Sequence, residues 1–415
     1  MVKIYSKALD QSIDIERLIG YHKGNQPGPT LIFFGGIHGN EPAGVFALKK
    51  VFENLEVLKI PMSGNMYGIS GNLWALKNGV RYKKEDLNRL WTNDNIKDLY
   101  TNKPHPDNED SIQQLDIYNT LKNILDVEKG PFYFFDLHTT SSQTIPFLTV
   151  NDSMLNRRFT MQYPIRMILG IEEYLDGPLL SYINEHGYVS FGFEAGQHDD
   201  PNSVKNHISF TYLSMVFAGC IHKNDVDFDK HYEFLNSTLK KSHKTYEIFY
   251  LHKIRKGERF SMKTGFINFQ KINKGQSLAI SDGKSVIAKS KGRVFMPLYQ
   301  DKGDDGFFII KKTPYFFMYL STILRKIRFD HILPTLPGIH WISDKKDSLI
   351  VNLKVARFFT KQFFHLLGYR SKEIDKTHLI IKNRETASRK EDYKNAFWNK
   401  RYYSLSKTTS FKKED

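Results

Sequence analysis

Three short apolar runs, separated by helical patterns, constrain the fold of this chain most strongly. The runs at 30–34, 132–135 and 188–193 have the length and composition of buried strands. Between the first two, residues 43–55 and 112–125 carry apolar side chains at helical spacing. Alternating strands and helices predict an α/β fold, with a mixed, mostly parallel sheet and helices on both of its faces. In such sheets, ligands bind beyond the carboxyl ends of the strands.

Each apolar run is followed by polar side chains that can bind a metal or carry a proton. His38 and Glu41 follow the first run, His138 follows the second, and Glu194 ends the third. Two imidazoles and one carboxylate form a zinc ligand set with an open fourth position. Glu194 is costly as an ionised group at the end of an apolar strand unless it serves a site. The sequence therefore predicts a metal site of His38, Glu41 and His138, with Glu194 as a base.

These residues also have plainer interpretations, which the sequence leaves open. His-x-x-Glu occurs by chance in many chains, as a histidine at a helix start followed by a capping glutamate. Asp136 either orients a histidine through its second ring nitrogen or is a strand-end acid without a catalytic role. Glu194 either serves the metal site or pairs with a nearby cation.

Two arginines indicate the substrate side of the site. Arg81 precedes the run Asp86-Leu87-Asn88-Arg89. A guanidinium binds a carboxylate in a bidentate fork, and a second one can stabilise a developing oxyanion. Taken alone, Arg81 and Arg89 are more often surface residues.

The pattern of the 415 residues changes along the chain and predicts four parts. Residues 1–228 form the catalytic domain, and 229–312 form a small β-rich domain of short segments between glycine-containing turns. Residues 313–368 form an amphipathic helical extension, with helices over 315–327 and 349–367. Residues 369–415 form a basic tail, whose composition is typical of a disordered segment.

Composition bounds the compartment and the partners. Cys220 is the single cysteine, which excludes an internal disulfide framework and favours a reducing compartment. The first residues lack a signal-peptide pattern and no apolar run is long enough to span a bilayer, so we expect a soluble cytoplasmic protein. The net charge of +15 favours anionic partners. Contact of the basic C-terminal region with nucleic acid or an anionic membrane is open but not favoured, and the oligomeric state is not indicated.

Taken together, the motifs resemble the succinylglutamate desuccinylase/aspartoacylase family, whose members are zinc deacylases related to the zinc carboxypeptidases. Order and spacing agree over residues 30–200, and the β-rich segment to about residue 312 resembles the smaller C-terminal domain of the family. The motifs that carry the resemblance are Gly35-Gly36-Ile37-His38-Gly39-Asn40-Glu41, Asp86-Leu87-Asn88-Arg89, Asp136-Leu137-His138, Phe193-Glu194-Ala195-Gly196-Gln197 and Met296-Pro297-Leu298-Tyr299-Gln300.

The resemblance implies a role for each candidate residue. The metal ligands are His38, Glu41 and His138, which hold a single zinc ion per chain. The other roles are general base and acid for Glu194, polarisation of the scissile carbonyl for Arg81, and binding of a substrate carboxylate for Asn88 and Arg89. The implied reaction is hydrolysis of an amide or ester bond in a small carboxylate-bearing substrate, above all an N-acyl amino acid, by metal-activated water.

One departure from the family and two alternative functions stand beside this interpretation. Aspartoacylases place a further arginine shortly before the glutamate-bearing strand, where it binds a carboxylate on the acyl side. Residues 180–186 contain no arginine here, so the resemblance does not imply a dicarboxylic acyl group. The alternatives are a zinc carboxypeptidase that acts on peptides, and a basic protein that binds nucleic acid or membrane.

Overall fold

The structure is a computed structural model of the 415-residue chain. It describes residues 1–101, 104, 107–237, 245–342, 344–355, 361–373 and 377–400. Within these ranges, no helix is both long enough and apolar enough to cross a membrane.

The elements follow one another along the chain as strands and helices in alternation, with a strand-rich second half. The strands are β1 (Val2–Ser6), β2 (Gln11–Ile15), β3 (Leu18–Lys23), β4 (Gln26–Gly35), β5 (Ser63–Ser70), β6 (Phe132–Thr140), β7 (Phe147–Val150), β8 (Arg166–Leu169), β9 (Val189–Gln197), β10 (Thr245–Lys253), β11 (Phe260–Met262), β12 (Lys271–Ile272), β13 (Ser277–Ser281), β14 (Lys284–Ile287), β15 (Gly292–Phe295), β16 (Asp305–Lys312), β17 (Ile339–Trp341), β18 (Ser348–Asn352), β19 (Tyr369–Glu373) and β20 (His378–Asn383). The helices are α1 (Ala43–Leu58), α2 (Leu73–Asn78), α3 (Asn93–Thr101), α4 (Glu109–Val127), α5 (Met154–Thr160), α6 (Leu179–Glu185), α7 (Pro201–Ala218), α8 (Phe228–Asn236), α9 (Tyr315–Lys326) and α10 (Lys361–Leu366), together with short 3-10 helices at Leu87–Arg89, Ile171–Glu173, Lys223–Asp225 and Phe329–Thr335.

A mixed eleven-stranded sheet forms the centre of the molecule. Its strand order is β12-β15-β16-β10-β8-β7-β9-β6-β4-β5-β3. The three apolar runs lie in β4, β6 and β9, which are parallel neighbours in the middle of this sheet. The prediction of a mixed α/β sheet is therefore confirmed, although parallel and antiparallel strand pairs are equally frequent in it within the described residues. Because the three strands run in the same direction side by side, their carboxyl ends meet at one edge of the sheet.

Alternate side chains of the central strands enter two separate cores, one on each face. Phe33 and Phe135 stack with ring centroids 4.6 Å apart and belong to the core that contains the buried side of α1. Phe34 and Phe134 point to the other face, where they belong to the core formed with α4. Successive residues of a strand point to opposite faces, so an uninterrupted apolar run is what a strand covered on both sides requires.

The β-rich region is less separate than the sequence predicts. Strands β10, β15 and β16 continue the central sheet, because β10 pairs in parallel with β8. Only β11, β13 and β14 form a three-stranded sheet of their own. Met296, Leu298 and Gln300 of the segment between β15 and β16 line the same cavity as the candidate site. The division of the chain into domains stays a prediction.

The prediction of a helical extension over 313–368 is wrong for much of its length. Helix α9 forms as expected, but residues 349–367 contain β18 and the short helix α10 instead of one long helix. In β18 the side chains of Leu349 and Val351 are buried while their neighbours are partly exposed. This alternation has the period of a strand, and β18 lies in the four-stranded antiparallel sheet β17-β18-β20-β19. Residues 356–360 of the predicted helix lie outside the described residues.

The prediction of a disordered tail over 369–415 is also wrong where the structure describes it. Strands β19 and β20 complete the C-terminal sheet. Beyond β20, Tyr393 and Trp398 are buried in the core beside Tyr133, whose hydroxyl accepts a hydrogen bond from the Trp398 indole nitrogen at 3.1 Å. In the sequence, these two aromatic residues lie among many charged residues. Residues 401–415 of the predicted tail lie outside the described residues.

Buried ion pairs join the C-terminal sheet to the catalytic part of the chain. Arg325 of α9 lies 2.7 Å from Asp152, and Arg384, which follows β20, lies 2.8 Å from Glu172. All four side chains are at most 9% exposed. Removal of one partner from such a pair leaves an uncompensated buried charge, which typically costs about 3–5 kcal/mol. At least these two cations of the basic C-terminal region are therefore used within the fold and do not face solvent.

His365 makes this junction sensitive to pH. Its ring lies between Glu173 and Glu247, at 2.8 Å from Glu173 Oε2. Burial alone would lower the pKa of His365, but the hydrogen bonds to the two carboxylates raise this pKa to about 9. A raised pKa in the folded state means that the stabilisation is complete below the ordinary value of about 6.5 and is lost as the pH rises through about 9.

We therefore expect the stabilising effect of His365 to disappear between pH 6.5 and pH 9, the window set by its two pKa values. The measurement is the free energy of urea unfolding for the wild type and His365→Gln across that range. The wild type should exceed the variant at the acidic end, and the difference should shrink as the pH rises. A difference that stays constant across the range would contradict this account.

Candidate active site

Two glycines, Gly36 and Gly39, shape the turn that follows β4. Gly36 has a φ of +73°, a left-handed conformation that favours glycine. A Cβ on Gly39 would lie 2.0 Å from the backbone carbon of Ala75, so no larger residue fits there. The Gly39 amide donates to the carbonyl oxygen of Arg81 at 3.2 Å. The turn thus places His38 and Glu41 at the sheet edge and brings Arg81 beside them.

Three buried donor groups converge at this edge. His38, Glu41 and His138 each offer a ligand atom, and these atoms lie within 4.8 Å of one another. His38 Nδ1 is 2.9 Å from Glu41 Oε1, and His138 Nδ1 is 3.0 Å from Glu41 Oε2. Burial alone would raise the pKa of Glu41, but the two histidines hold it well below its ordinary value. The group could therefore bind a metal through two imidazoles and an ionised carboxylate.

Each histidine is held by a second carboxylate on its far side. His38 Nε2 lies 3.0 Å from Asp86 Oδ1, and His138 Nε2 lies 2.7 Å from Asp136 Oδ2. A carboxylate behind a metal-binding histidine fixes the ring and raises its basicity. Of the two interpretations of Asp136, this contact supports the orienting one. The parallel contact of Asp86 was not predicted from the sequence, because 48 residues separate it from His38.

Arg81 lies between the metal-binding group and Asp86. Its Nη1 donates to Glu41 Oε1 at 3.4 Å, and its Nη2 donates to Asp86 Oδ2 at 2.9 Å. Burial alone would raise the pKa of Asp86, but Arg81 and His38 hold it well below its ordinary value. The guanidinium is only 14% exposed, so its orientation is fixed by these pairs. Arg81 is therefore a positioned cation beside the group that could hold a metal.

Glu194 lies beside His138, because the two residues are register partners on the neighbouring strands β9 and β6. Its side chain is buried, and its Oε2 has no hydrogen-bond partner among the described residues. Burial raises the pKa of Glu194 to about 8, and the carboxylates of Glu41 and Asp136 add to this rise. A carboxyl group with a pKa near neutrality can both accept and release a proton.

Asn88 and Arg89 line the cavity of the site, and each side chain already has a hydrogen-bond partner within the protein. Asp86 caps the 3-10 helix that carries them, by accepting from the Asn88 amide at 2.9 Å. Asn88 Oδ1 accepts from the Leu179 amide at 2.9 Å. Arg89 Nη2 lies 2.6 Å from Asp305 Oδ2 at the start of β16. Sequence reasoning missed Asp305, and 216 residues separate it from Arg89 with no motif that links them.

These residues line one cavity of about 140 Å³. Its wall away from the metal-binding group is mostly apolar or uncharged, and includes Thr149, Asn151, Ile171, Leu175, Leu180, Ser181, Phe191, Met296, Leu298 and Phe308. Gln300 closes another side, because its Oε1 accepts from Asn40 Nδ2 at 2.9 Å and lies 3.2 Å from His198 Nε2. Tyr299 is directed elsewhere and donates to the carbonyl oxygen of Lys263.

Comparison with known proteins finds a similar domain in the first half of the chain. Residues 27–197 match the model of the succinylglutamate desuccinylase/aspartoacylase catalytic domain. The chain is therefore similar to this family over residues 27–197, which are less than half of its length. The matched range contains every candidate metal, catalytic and substrate-binding residue predicted from the sequence. Asp305 lies outside this range.

Individual known proteins match different shares of the chain. A succinylglutamate desuccinylase from Photorhabdus laumondii is 35% identical over 75 residues, which are 18% of this chain and 22% of that protein. Two solved structures have a similar fold. A succinylglutamate desuccinylase from Chromobacterium violaceum has a TM-score of 0.50, with 16% identity over 70% of this chain and 86% of that chain. A succinylglutamate desuccinylase/aspartoacylase from Rhodobacter sphaeroides has a TM-score of 0.51, with 14% identity over 71% and 88%.

Proposed function

We propose that this chain is a zinc-dependent hydrolase that cleaves the amide bond of a small acylated amino acid. The observation that carries the proposal is the buried convergence of His38, Glu41 and His138 opposite the unpaired Glu194 carboxyl. The aspartoacylase-type catalytic domain supports the same reaction class, because the relatives that share it are named as deacylating enzymes.

The donor set fits zinc. Three buried protein ligands with imidazole and carboxylate atoms are typical of catalytic zinc sites, which leave a position open for water or substrate. The two carboxylates behind the histidines supply the outer support that such sites require. When bound, zinc supplies a Lewis acid that polarises a carbonyl oxygen and lowers the pKa of water.

Glu194 is the residue that moves the proton. Its carboxyl lies across from His138, and no hydrogen bond within the described residues holds its Oε2. In its ionised form it takes a proton from the attacking water, and it then delivers this proton to the nitrogen of the leaving amine. Burial raises the pKa of Glu194, which makes its carboxylate a stronger base for the first transfer.

Arg81 stabilises the charge that develops on the carbonyl oxygen. Its guanidinium is fixed by Asp86 and Glu41, so it is oriented before the substrate enters. Preorganised donors of this kind are worth about 10²–10³-fold in turnover in acyl-transfer enzymes. Asn88 and Arg89 line the same cavity, and Arg89, which is paired with Asp305, is the cation that a substrate carboxylate would meet there.

The acyl side of the cavity favours an uncharged group. Leu180 and Ser181 of α6 line this part of the cavity, together with Thr149 and Asn151. Among the described residues, the lysines and arginines that line the cavity are Arg81 and Arg89. A dicarboxylic acyl group would therefore lack a cation at that end. The volume of about 140 Å³ suits a small substrate.

A hydrolysis screen on the zinc-loaded protein tests the proposal. The panel contains N-acetyl amino acids, N-acetyl-L-aspartate, N-succinyl-L-glutamate and short peptides, with release of the amine as the readout. We expect turnover of N-acetyl amino acids that carry one carboxylate, and slower turnover of the two substrates with acidic acyl or amino acid parts. Trimming of peptides at their C-terminus without any deacylation would contradict the proposal.

A further inference from the structure

The guanidinium of Arg89 is paired with a carboxylate of the protein itself. Its Nη2 lies 2.6 Å from Asp305 Oδ2, and its Nη1 donates to the carbonyl oxygen of Asn88 at 2.8 Å. The two side chains of the pair are 26% and 18% exposed, and both line the cavity. A substrate carboxylate that approaches Arg89 therefore meets a donor that already has an acidic partner.

The rest of the described cavity lining offers few cations that could bind a substrate carboxylate in place of Arg89. Arg81, the other arginine of the lining, is held by Asp86 and Glu41. The acidic side chains of the lining are Glu41, Asp86, Asp136, Glu194, Asp304 and Asp305. Within the described lining, acids thus outnumber arginines and lysines, and a bound divalent cation would only partly balance them. Each additional carboxylate on a substrate enters a region that is already negative.

We propose that Asp305 is a specificity-determining residue that competes with a substrate carboxylate for Arg89. This inference rests on the proposed function, since it concerns the same cavity and the same substrate class. Substrates that place a carboxylate next to Arg89 must displace Asp305. Acylated amines that place a carboxamide or another neutral group there bind without this competition.

The position of Asp305 makes it an effective competitor. It is the first residue of β16, whose backbone is fixed by pairing with β10 and β15. A carboxylate that is tethered at the right place competes intramolecularly and loses little entropy when it binds. The free energy of a partly exposed ion pair of this kind is nevertheless small. Removal of the pair should change the affinity for a carboxylate ligand by about fivefold. Asp305 thus shifts the preference among substrates and does not block the site.

Equilibrium binding separates this effect from catalysis. The ligands are N-acetyl-L-leucine and N-acetyl-L-leucinamide, which differ only in whether the amine half carries a carboxylate or a carboxamide. Their dissociation constants are measured by calorimetry on zinc-loaded Glu194→Gln protein, in which turnover is suppressed. The same measurement is made after adding Asp305→Asn, and after adding Asp304→Asn as a matched control. Asp304 lines the same cavity, is exposed, and leaves the Arg89 pair intact.

Asp305→Asn should bind N-acetyl-L-leucine about fivefold more tightly and leave the affinity for N-acetyl-L-leucinamide unchanged. Asp304→Asn should have a much smaller effect on either ligand. Unchanged or weaker binding of the carboxylate by Asp305→Asn would overturn the inference, and so would an equal gain in Asp304→Asn or the absence of carboxylate binding in all proteins. Hydrolysis of acylated amino acids by the wild type is measured in parallel, and its absence would instead count against the proposed function.

Discussion

Replacement of Glu194 by glutamine is expected to abolish turnover and leave the metal in place. Glutamine keeps the shape of the side chain but cannot take a proton from water. The loss of a general base lowers kcat by about 10²–10⁴-fold. Because Glu194 is not one of the three converging ligands, zinc content should stay at the level of the wild type. The measurements are kcat on the best substrate of the panel and zinc per chain by mass spectrometry.

Glu185→Gln provides the matched control for this change. Glu185 is exposed at the end of α6 and lies outside the cavity of the candidate site. The same chemical substitution there should leave both kcat and zinc content unchanged. Turnover of Glu194→Gln at the rate of the wild type would show that another group moves the proton.

Replacement of His138 by alanine is expected to remove metal and activity together. The variant loses one of three ligands and also leaves Asp136, which is completely buried, without its partner. Two protein ligands do not hold zinc tightly enough to survive dialysis. Zinc should therefore fall from about one per chain to near zero, and hydrolysis should fall with it.

The control for this second prediction is His340→Ala. His340 is an exposed residue of β17 in the C-terminal sheet and lies outside the lining of the cavity. Its loss should change neither zinc content nor hydrolysis. Circular dichroism of His138→Ala checks that the loss of metal reflects the missing ligand and not an unfolded chain. Full zinc content and full activity in folded His138→Ala would exclude it as a ligand.

The central fold could be predicted because its signals are local. Uninterrupted apolar runs fit strands covered on both faces, and β4, β6 and β9 lie within or around the expected ranges. The rule that parallel strands present their carboxyl ends at one edge then brings His38, His138 and Glu194 together without any structural information. Those parts of the candidate site follow from sequence order alone.

The remaining features depend on contacts between distant residues, which one sequence does not reveal. The pair of Arg89 with Asp305 spans 216 residues. The role of Asp86 behind His38 depends on how the turn after β4 meets a 3-10 helix. The strand β18 was not recognised because its apolar and basic sequence also suits a helix, and the alternation of buried side chains is short.

The C-terminal region shows how composition can mislead. Its abundance of lysine and arginine predicted a solvated tail over 369–415, but Arg384 of that range is buried against an acid of the catalytic part, as is Arg325 of α9. Tyr393 and Trp398 anchor the following residues in the core. Net charge describes a surface only when the charges lie on it, and buried partners cannot be identified from composition.

The central claim is that one buried group holds zinc and that Glu194 acts on water beside it. The most direct test measures bound zinc and amide hydrolysis side by side in the wild type, His138→Ala and Glu194→Gln. The account predicts zinc with hydrolysis in the wild type, neither in His138→Ala, and zinc without hydrolysis in Glu194→Gln. Hydrolysis at the rate of the wild type in protein that lacks zinc would contradict it.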